Sequence, residues 1–367
     1  MRFQFMLFPV LVLLVVIYIY YRIWHILPLS QLMKWLVTLA MLLPVGLFFA
    51  YIASRNDNAS LWVNQVFSIV STSWMIILLY LLMTFFVTDI ARLCIPAIRP
   101  WFNNSWVGTL GILAFMVVTF VGGNLWYHHK VRVPLNVQID KVMKPIKVVG
   151  ISDLHLGYTI GKGELAKWVE MINKEQADVI LIAGDLIDSN VVPVEKQRMY
   201  EELGQLKARY GVFAILGNHD YYADNEKSEA LIRKAGIHLL KDKAVLVDDA
   251  FYVVGRDDRA NDQNRKSLNE LTKDLDHTKP ILLMDHQPYH LDRTEAAGID
   301  FQLSGHTHHG QIFPINLVTD QVYEKSHGYL RKGNTHIYVT SGIGLWGGKF
   351  RIGTQSEYLV LEMAGLK

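Results

Sequence analysis

Charged side chains are nearly absent from the first third of this 367-residue sequence. Residues 1–127 contain eight of them, whereas the remainder of the chain carries all the others. A soluble globular domain needs charge on its surface, so the first third is not an ordinary soluble domain. The eight residues are Arg2, Arg22, Lys34, Arg55, Asp57, Asp89, Arg92 and Arg99.

Cysteine and basic runs are also scarce. The single cysteine, Cys94, excludes an internal disulfide and leaves the redox compartment open. The formal net charge is only +2, and no stretch is rich in lysine and arginine. Binding to nucleic acid depends on many cationic contacts to phosphates, so no nucleic-acid partner is expected.

Four uncharged apolar runs fill the charge-poor region, at about residues 3–21, 35–52, 66–87 and 106–126. Each has roughly the 18 to 22 residues that a helix needs to cross about 30 Å of hydrocarbon. The first run alone could be a cleaved signal peptide, but it lacks a small-residue cleavage site and three more runs follow. No Asp, Glu, Lys, Arg or His lies inside the runs, which favours an anchor or lipid-access device over a conduction path. We therefore predict a four-helix transmembrane region over residues 1–127.

Basic residues near the run ends indicate the orientation of the chain in the membrane. Four spans place the N-terminus and the segment after residue 127 on the same side. That side has the larger number of basic residues, and the positive-inside rule then predicts a cytoplasmic catalytic domain. The basic residues of that side are Arg2, Arg55, Lys130, Arg132, Lys141, Lys144 and Lys147, against Arg22, Lys34, Arg92 and Arg99 on the other.

Beyond the membrane region, short apolar runs alternate with amphipathic stretches. One such stretch has apolar residues at i, i+3, i+4 and i+7, which is typical of a helix with one buried face. The alternation predicts an α/β domain over residues 146–367, after a linker at 128–145. A hairpin is predicted at 241–254, and helix with loop at 256–279. The predicted strands are 146–151, 179–183, 212–216, 281–284, 301–303 and 337–339.

Five of the predicted strands are followed by histidine, aspartate or asparagine. Ligands collect at the carboxyl ends of strands in open α/β sheets, and clusters at five strand ends are hard to assign to packing. The residues are Asp153 and His155, then Asp185 and Asp188, then Asn218, His219 and Asp220, then His286, and finally His306 and His308.

Histidine nitrogen and carboxylate oxygen together suit divalent Mn, Fe or Zn. The absence of thiolate argues against a structural zinc site. Two ions about 3.5–4 Å apart need a bridging ligand, and Asp185 is the best candidate because it lies between the N-terminal and C-terminal ligand groups. A water between two cations loses its proton readily and becomes a hydroxide nucleophile. Two divalent ions with two aspartates keep positive charge, so the site is expected to attract phosphate.

The strand-end residues resemble the five signature blocks of the calcineurin-like metallophosphoesterases. The blocks are Asp153-Leu-His155, Gly184-Asp185-Leu-Ile-Asp188, Gly217-Asn218-His219-Asp220, His286 and Gly305-His306-Thr-His308, in family order. The resemblance implies a four-layer α/β/β/α sandwich with two divalent ions, manganese being favoured. It assigns Asp153, His155, Asp185 and His308 to one ion, and Asp185, Asn218, His286 and His306 to the other. His219 is then the proton donor or a clamp on the phosphoryl oxygen, with Asp188 orienting it.

Within the family, the sequence is similar to a bacterial branch of membrane-attached or exported phosphoesterases. Ser189-Asn190 replaces the Arg-Gly that phosphoprotein phosphatases use to bind phosphate, and Asp220 replaces their Glu. Both departures weaken a protein-phosphatase reading. The resemblance implies an integral protein of the bacterial cell membrane that hydrolyses a phosphodiester or pyrophosphate in a lipid or lipid-linked substrate.

Two other functions remain open at the level of sequence. One is a nucleotide phosphodiesterase or nuclease, and the other is a membrane sensor that binds a phospho-ligand without turnover. The basic residues of the C-terminal region could hold a phosphate-bearing headgroup or could form a solvated face. They are Lys325, Arg331, Lys332, Lys349 and Arg351.

Overall fold

The computed structural model describes residues 2–54 and 60–366. Residues 54–58 form the polar segment between the second and third predicted apolar runs, and most of this segment lies outside the described residues. The chain divides into two compact units. One contains Met1–Leu125 with Gly347–Lys349, and the other contains Trp126–Trp346 with Phe350–Lys367.

The first unit is built from apolar helices, as predicted. The helices are α1 (Arg2–Ile26), α2 (Gln31–Ser54), α3 (Leu61–Cys94) and α4 (Trp106–His128), with a 3₁₀ segment at Pro96–Phe102. Three segments are long and apolar enough to cross a membrane, namely Gln31–Phe49, Leu61–Cys94 and Trp106–His128. Val12–Ile26, within α1, is a shorter apolar segment. Long apolar helices at the N-terminus therefore confirm the membrane-like character of this region.

Helix α3 is longer than the run predicted at residues 66–87. Its 34 residues correspond to about 51 Å at 1.5 Å per residue, more than one hydrocarbon thickness. The additional turns carry Asp89 and Arg92, which form an ion pair on the same helix. Asp89 also lies 2.9 Å from the buried Arg22 guanidinium of α1. These charged residues thus lie near the helix ends, beyond the predicted apolar runs.

The second unit is an α/β sandwich with two mixed six-stranded sheets. The first sheet has the order β1-β12-β2-β3-β4-β5 and the second has the order β10-β11-β9-β8-β7-β6. The first-sheet strands are β1 (Lys130–Val142), β2 (Ile146–Ile151), β3 (Val179–Ala183), β4 (Val212–Ile215), β5 (His238–Leu239) and β12 (Ser356–Leu366). The second-sheet strands are β6 (Lys243–Val247), β7 (Phe251–Gly255), β8 (Ile281–Met284), β9 (Phe301–Ser304), β10 (Gly328–Lys332) and β11 (Thr335–Val339).

Helices cover the outer faces of both sheets. Apolar residues of β2, β3 and β4 pack against α5 and α8 on one side, and Val148, Leu181 and Phe213 pack against the second sheet on the other. The second sheet packs its outer face against α9. The layers therefore follow the order helix, sheet, sheet, helix, as the family resemblance implies. The helices are α5 (Lys162–Asn173), α6 (Val192–Lys196), α7 (Met199–Leu203), α8 (Asn218–Lys234), α9 (Leu268–Thr272), α10 (Leu291–Ala296) and α11 (Ile315–Val322).

The segment predicted as a linker differs in the structure. Most of residues 128–145 forms strand β1, which pairs in parallel with the C-terminal strand β12. Val137 and Ile139 are buried while the residues beside them are exposed, as in a half-buried strand. The alternation was present in the sequence, but basic and polar residues between the apolar ones masked it. The hairpin predicted at 241–254 is confirmed by the antiparallel pair β6 and β7.

Candidate metal centre

The predicted site residues follow strands of both sheets. Asp153 and His155 follow β2, Asp185 and Asp188 follow β3, and Asn218 and His219 begin α8 directly after β4. His286 follows β8 of the second sheet, and His306 and His308 follow β9. The structure brings the carboxyl ends of these strands together, so residues far apart in the sequence become neighbours.

One group of side chains consists of Asp153, His155 and His308. The Nε2 atoms of His155 and His308 lie 3.0 Å apart. Asp153 Oδ1 lies 3.5 Å from His308 Nε2 and 3.9 Å from His155 Nε2. Asp153 and His155 are fully buried, so three ligand-type atoms converge where water is scarce.

A second group consists of Asp185, His286 and His306. Asp185 Oδ2 lies 3.2 Å from His286 Nε2. Asn218 joins this group because its Oδ1 lies 2.8 Å from His306 Nδ1. The group therefore holds one carboxylate, two imidazoles and one amide oxygen.

Asp185 belongs to both groups. Its Oδ2 atom lies 3.7 Å from His155 Nε2 of the first group as well as near His286 of the second. Its Oδ1 atom accepts a hydrogen bond from the backbone N–H of His219, at 2.8 Å. That donor lies in the first turn of α8, where unpaired N–H groups favour a negative charge.

The backbone at these positions adopts unusual conformations. Asp153, His155, Asp185, His306 and His308 all have φ between +45° and +70°. The left-handed region costs a non-glycine residue on the order of 1 kcal/mol or more, so such residues cluster where a functional side chain must be aimed. The surrounding fold holds five of the seven predicted ligands in this conformation.

Several nitrogen atoms of the site are buried and make no hydrogen bond within the described structure. They include His155 Nδ1, His286 Nε2 and His308 Nδ1. His286 Nδ1 lies 2.7 Å from the carbonyl oxygen of Ala183. Because a carbonyl can only accept, Nδ1 carries a proton, and in the neutral ring Nε2, beside Asp185, would be the nitrogen free to bind a metal ion. An orphaned lone pair beside buried carboxylates fits a divalent cation.

Two histidines of the site favour the neutral form, whereas at His286 burial is outweighed by the charge of Asp185, which raises the pKa well above its ordinary value. Burial lowers the pKa of His306 to about 3 and holds the pKa of His308 well below its ordinary value. Burial alone would raise the pKa of Asp185, but the neighbouring His286 outweighs it and the pKa falls. Neutral imidazoles and an ionised carboxylate are the forms that bind metal.

His219 and Asp188 form a separate pair at the edge of the two groups. His219 Nδ1 lies 3.1 Å from Asp188 Oδ1, and the His219 ring stands edge-on to His155 at 4.6 Å. Burial tends to lower the pKa of His219, whereas the hydrogen bond to Asp188 and the charge of Asp185 raise it, and the net result is a raised pKa. His219 thus holds a proton more tightly than free histidine.

Asp220 supports the site without reaching its centre. It is fully buried and accepts hydrogen bonds from the backbone N–H groups of Gly217 at 2.9 Å, Ile187 at 2.8 Å and Leu186 at 3.3 Å. These bonds join the loop after β3 to the loop after β4. Desolvation by burial and the charge of Asp185 raise the pKa of Asp220 to about 7.

Arg351 lies in the interior rather than on a phosphate-binding or solvated face. Its side chain is buried and donates to the carbonyl oxygens of His308 at 2.7 Å, Ser341 at 2.6 Å and Gly344 at 2.9 Å. A guanidinium can satisfy several carbonyls at once because its donors form a planar fork. Arg351 therefore supports the loop that carries His308, a role that a surface-charge pattern does not reveal.

Aromatic side chains surround the histidines. Tyr222 and Trp346 lie 5.4 and 6.4 Å from the ring of His219, and Tyr323 lies 6.2 Å from the ring of His306. Sequence reasoning did not select these residues, because single aromatic residues follow no pattern that indicates a site. Tyr222 lies in α8, whereas the proximity of Tyr323 and Trp346 depends on how the segments after β9 and β11 fold.

Comparison with known proteins agrees with this geometry. Residues 146–310 match the family described as calcineurin-like phosphoesterase. The chain is 33% identical over 236 residues to an uncharacterized metallophosphoesterase of Helicobacter pylori strain J99, covering 62% of each chain. It is 34% identical over 255 residues to a transmembrane protein with metallophosphoesterase domain of Danio rerio, covering 64% of this chain and 57% of that one. An uncharacterized metallophosphoesterase of Aquifex aeolicus is 28% identical, with 62% of this chain and 90% of that one covered.

The matched part spans about three fifths of the first of these relatives, so the likeness concerns the α/β domain. That domain has the two-sheet sandwich, the ligand-type residues at the strand ends and the family match in the same place. The chain therefore carries a calcineurin-like metallophosphoesterase domain over residues 146–310, preceded by apolar helices of membrane-spanning character.

Proposed function

We propose that this chain is a membrane-anchored phosphoesterase with two divalent metal ions, which hydrolyses a phosphodiester or pyrophosphate bond. The observation that carries the proposal is the position of Asp185 Oδ2, within 3.7 Å of a nitrogen in each of two histidine groups. One carboxylate that faces two sets of imidazoles is the arrangement that a pair of ions requires.

Each ligand has a defined place in the proposal. Asp153, His155, Asp185 and His308 would hold one ion, and Asp185, Asn218, His286 and His306 the other. When bound, two such ions, which we expect to be manganese rather than iron or zinc, supply positive charge that activates water and polarises the phosphoryl group.

His219 is proposed to deliver the proton that the leaving oxygen needs. Its Nδ1 atom faces Asp188, so the proton available for transfer resides on Nε2. Asp188 orients the ring and favours its protonated form, as its hydrogen bond raises the pKa of His219. Burial alone would raise the pKa of Asp188, but its interactions with His155 and His219 outweigh burial and bring the pKa to about 2, so Asp188 keeps its charge.

The proposed substrate is a lipid or a lipid-linked phosphoester. Helix α4 ends at His128 and β1 begins at Lys130, so the domain starts directly after an apolar segment long enough to span a membrane. An enzyme tethered in this way meets headgroups at high local concentration. A nuclease would gain nothing from the anchor and would need a basic groove. We therefore favour a lipid-linked substrate over nucleic acid.

We further propose that residues 1–127 form the membrane region of an integral protein of the bacterial cell membrane. The domain, including β1, would face the cytoplasm, because basic residues are more numerous on that side of the spans. In a Cys94→Ser background, a cysteine introduced at exposed Asp140 should react with an impermeant maleimide only after spheroplasts are opened. Labelling in intact spheroplasts would reverse the assigned orientation.

Hydrolysis of aryl phosphates tests the catalytic part of the proposal. Detergent-purified protein should cleave an aryl phosphodiester in the presence of manganese, and His306→Ala should abolish cleavage. His219→Ala should keep its metal and slow by about 10²-fold or more, because it loses only the proton donor. A sensor that merely binds phosphate would show metal binding without turnover of either a diester or a monoester.

The lipid part of the proposal needs a second comparison. In lipid nanodiscs, the full-length protein should prefer a phospholipid or lipid-linked pyrophosphate over the soluble aryl diester. Equal rates on lipid and soluble substrates of the same bond type would refute the lipid assignment and leave the hydrolase intact.

A further inference from the structure

Helix α11, which follows the loop of His306 and His308, has its apolar residues on the outside. None of its eight residues is buried, although every one of them is described. Leu317, Val318 and Val322 are each more than half exposed, and Ile315 is 38% exposed. Ile315, Val318 and Val322 have i, i+3 and i+7 spacing, so they share one face of the helix. Single exposed apolar residues are ordinary, but four in one short helix form a patch.

Two polar residues of α11, Asn316 and Asp320, contact the domain. Asp320 accepts a short hydrogen bond from the Ser326 hydroxyl, and His309 Nε2 lies 3.6 Å from the same carboxylate. The backbone around Ile315 and Asn316 lies directly against Gly310, where an added Cβ would have no room. A helix on a soluble domain normally turns its apolar stripe inward, so α11 is reversed.

A lipid bilayer is the occupant that fits this reversed helix. Among the described residues, three segments are long and apolar enough to cross a membrane, and only His129 separates the last of these helices from β1. If these helices span a membrane, this short connection keeps the domain at the membrane surface. A face of Ile, Leu and Val without any charge matches the boundary between headgroups and acyl chains, where such helices lie parallel to the membrane.

We propose that α11 is an interfacial helix that inserts Ile315, Leu317, Val318 and Val322 into the bilayer beside the metal centre. The helix is joined to the ligand loop, since Thr307 Oγ1 donates to the carbonyl oxygen of Ser326 just beyond it, at 2.5 Å. Contact with the bilayer does not depend on catalysis. Its consequence for substrate choice does rest on the proposed function: phosphoesters held in the contacted leaflet would reach the site without leaving the membrane.

Site-directed fluorescence tests the contact in the full-length protein. Replacing Cys94, the only cysteine, with serine allows single cysteines at Leu317 or Val318 to carry an environment-sensitive dye. Exposed Asn334 of the β10–β11 turn is the matched control position, and exposed Gln321, which lies beside Leu317 and Val318 on the helix, is a third position on the same face. The proteins are placed one per nanodisc, in phosphatidylcholine and phosphatidylglycerol with or without bromine on the acyl chains.

Bromolipid should quench the dyes at Leu317→Cys and Val318→Cys at least about threefold more than the dye at Asn334→Cys, with Gln321→Cys intermediate. Equal quenching at Val318→Cys and Asn334→Cys would overturn the proposal. A blue shift at Val318→Cys that appears only with two chains per disc would overturn it as well, and would assign the face to a second copy.

An activity comparison separates this proposal from the proposed function. Leu317→Glu with Val318→Glu should lower turnover of a bilayer-embedded phosphoester by about tenfold while the aryl diester is cleaved as before. Asn334→Glu, outside the helix, is the control for added charge. Unchanged turnover of the embedded ester would contradict the role of α11 in substrate access. If neither ester is cleaved by the unmodified protein, the proposed function fails, and the bromolipid result still decides the membrane contact.

Discussion

Gly217 determines how closely the loop after β4 approaches Asp185. A Cβ at this position would overlap the Asp185 carboxylate and lie 2.6 Å from its backbone nitrogen. Gly163, at the start of α5, provides a contrast, because nothing lies within 4 Å of a Cβ placed there. A methyl group would therefore clash at Gly217 but not at Gly163, although both glycines lie at the start of a helix.

Gly217→Ala is expected to destabilise the domain by about 1–3 kcal/mol through overpacking and to lower its metal content, because Asp185 must move. Gly163→Ala should change stability by less than about 1 kcal/mol and leave metal binding intact. Thermal melting and metal analysis of the two purified variants measure both effects. Full metal content in Gly217→Ala would contradict the close packing around Asp185.

Glu357 is a buried carboxylate outside the metal groups. It accepts hydrogen bonds from His327 Nε2 at 3.0 Å, Tyr338 at 3.0 Å and the backbone N–H of Ser341 at 3.1 Å. Burial alone would raise the pKa of Glu357, but these bonds and the nearby His327 bring it from 4.5 to about 2. The folded state therefore stabilises the ionised carboxylate of Glu357 relative to the unfolded chain.

The lowered pKa implies a pH-dependent contribution to stability on the order of 3 kcal/mol. This contribution is complete above pH 4.5, the ordinary value, and is lost as the pH falls towards about 2. Glu357→Gln should thus lower the melting temperature at pH 7, and the difference from the unmodified protein should shrink between pH 4.5 and pH 2. A constant difference across that range would show that Glu357 does not stabilise the fold through its charge.

At the scale of elements, β1 adds a strand to the first sheet beside β12. Ile139 is buried between the sheets, whereas its neighbour Asp140 is exposed. Ile139→Ala should cost about 2–4 kcal/mol through lost burial and a residual cavity. Asp140→Ala should cost less than about 0.5 kcal/mol. Chemical denaturation of the domain in detergent measures both, and equal effects would mean that β1 is not part of the core.

At the scale of the whole molecule, metal binding should be coupled to the stability of the α/β unit. Asp153 and Asp185 are both buried, and burial together with the charge of Asp185 raises the pKa of Asp153. A divalent ion relieves this cost, so removal by a chelator should lower the melting temperature. Manganese at a hundred times its dissociation constant should restore about 2.7 kcal/mol for each ion bound.

The double variant His306→Ala with His308→Ala is the control for this coupling. It loses one imidazole from each group and should show little dependence of its melting temperature on manganese. A manganese effect of the same size in the double variant would place the ions elsewhere in the chain.

Much of the α/β fold was predictable because its strands are short, fully buried and separated by helices. Apolar runs at β2, β3, β4, β8 and β9 indicate buried strands without any knowledge of the tertiary structure. Strand β1 was missed because its alternating polar residues face solvent and resemble a linker. The outward face of α11 was missed for the opposite reason, since an amphipathic pattern does not say which face is buried.

The sequence by itself determined the types of ligand and their positions at strand ends, because side chains after parallel strands share one sheet edge. It also determined the apolar N-terminal helices, whose length and composition leave few alternatives in water. Only the tertiary structure decided that Asp185 Oδ2 lies between two histidine groups, that Arg351 is buried beneath the His308 loop and that α11 is reversed. These features depend on packing between segments that are distant in the sequence and on backbone conformations with positive φ, which local sequence patterns do not specify.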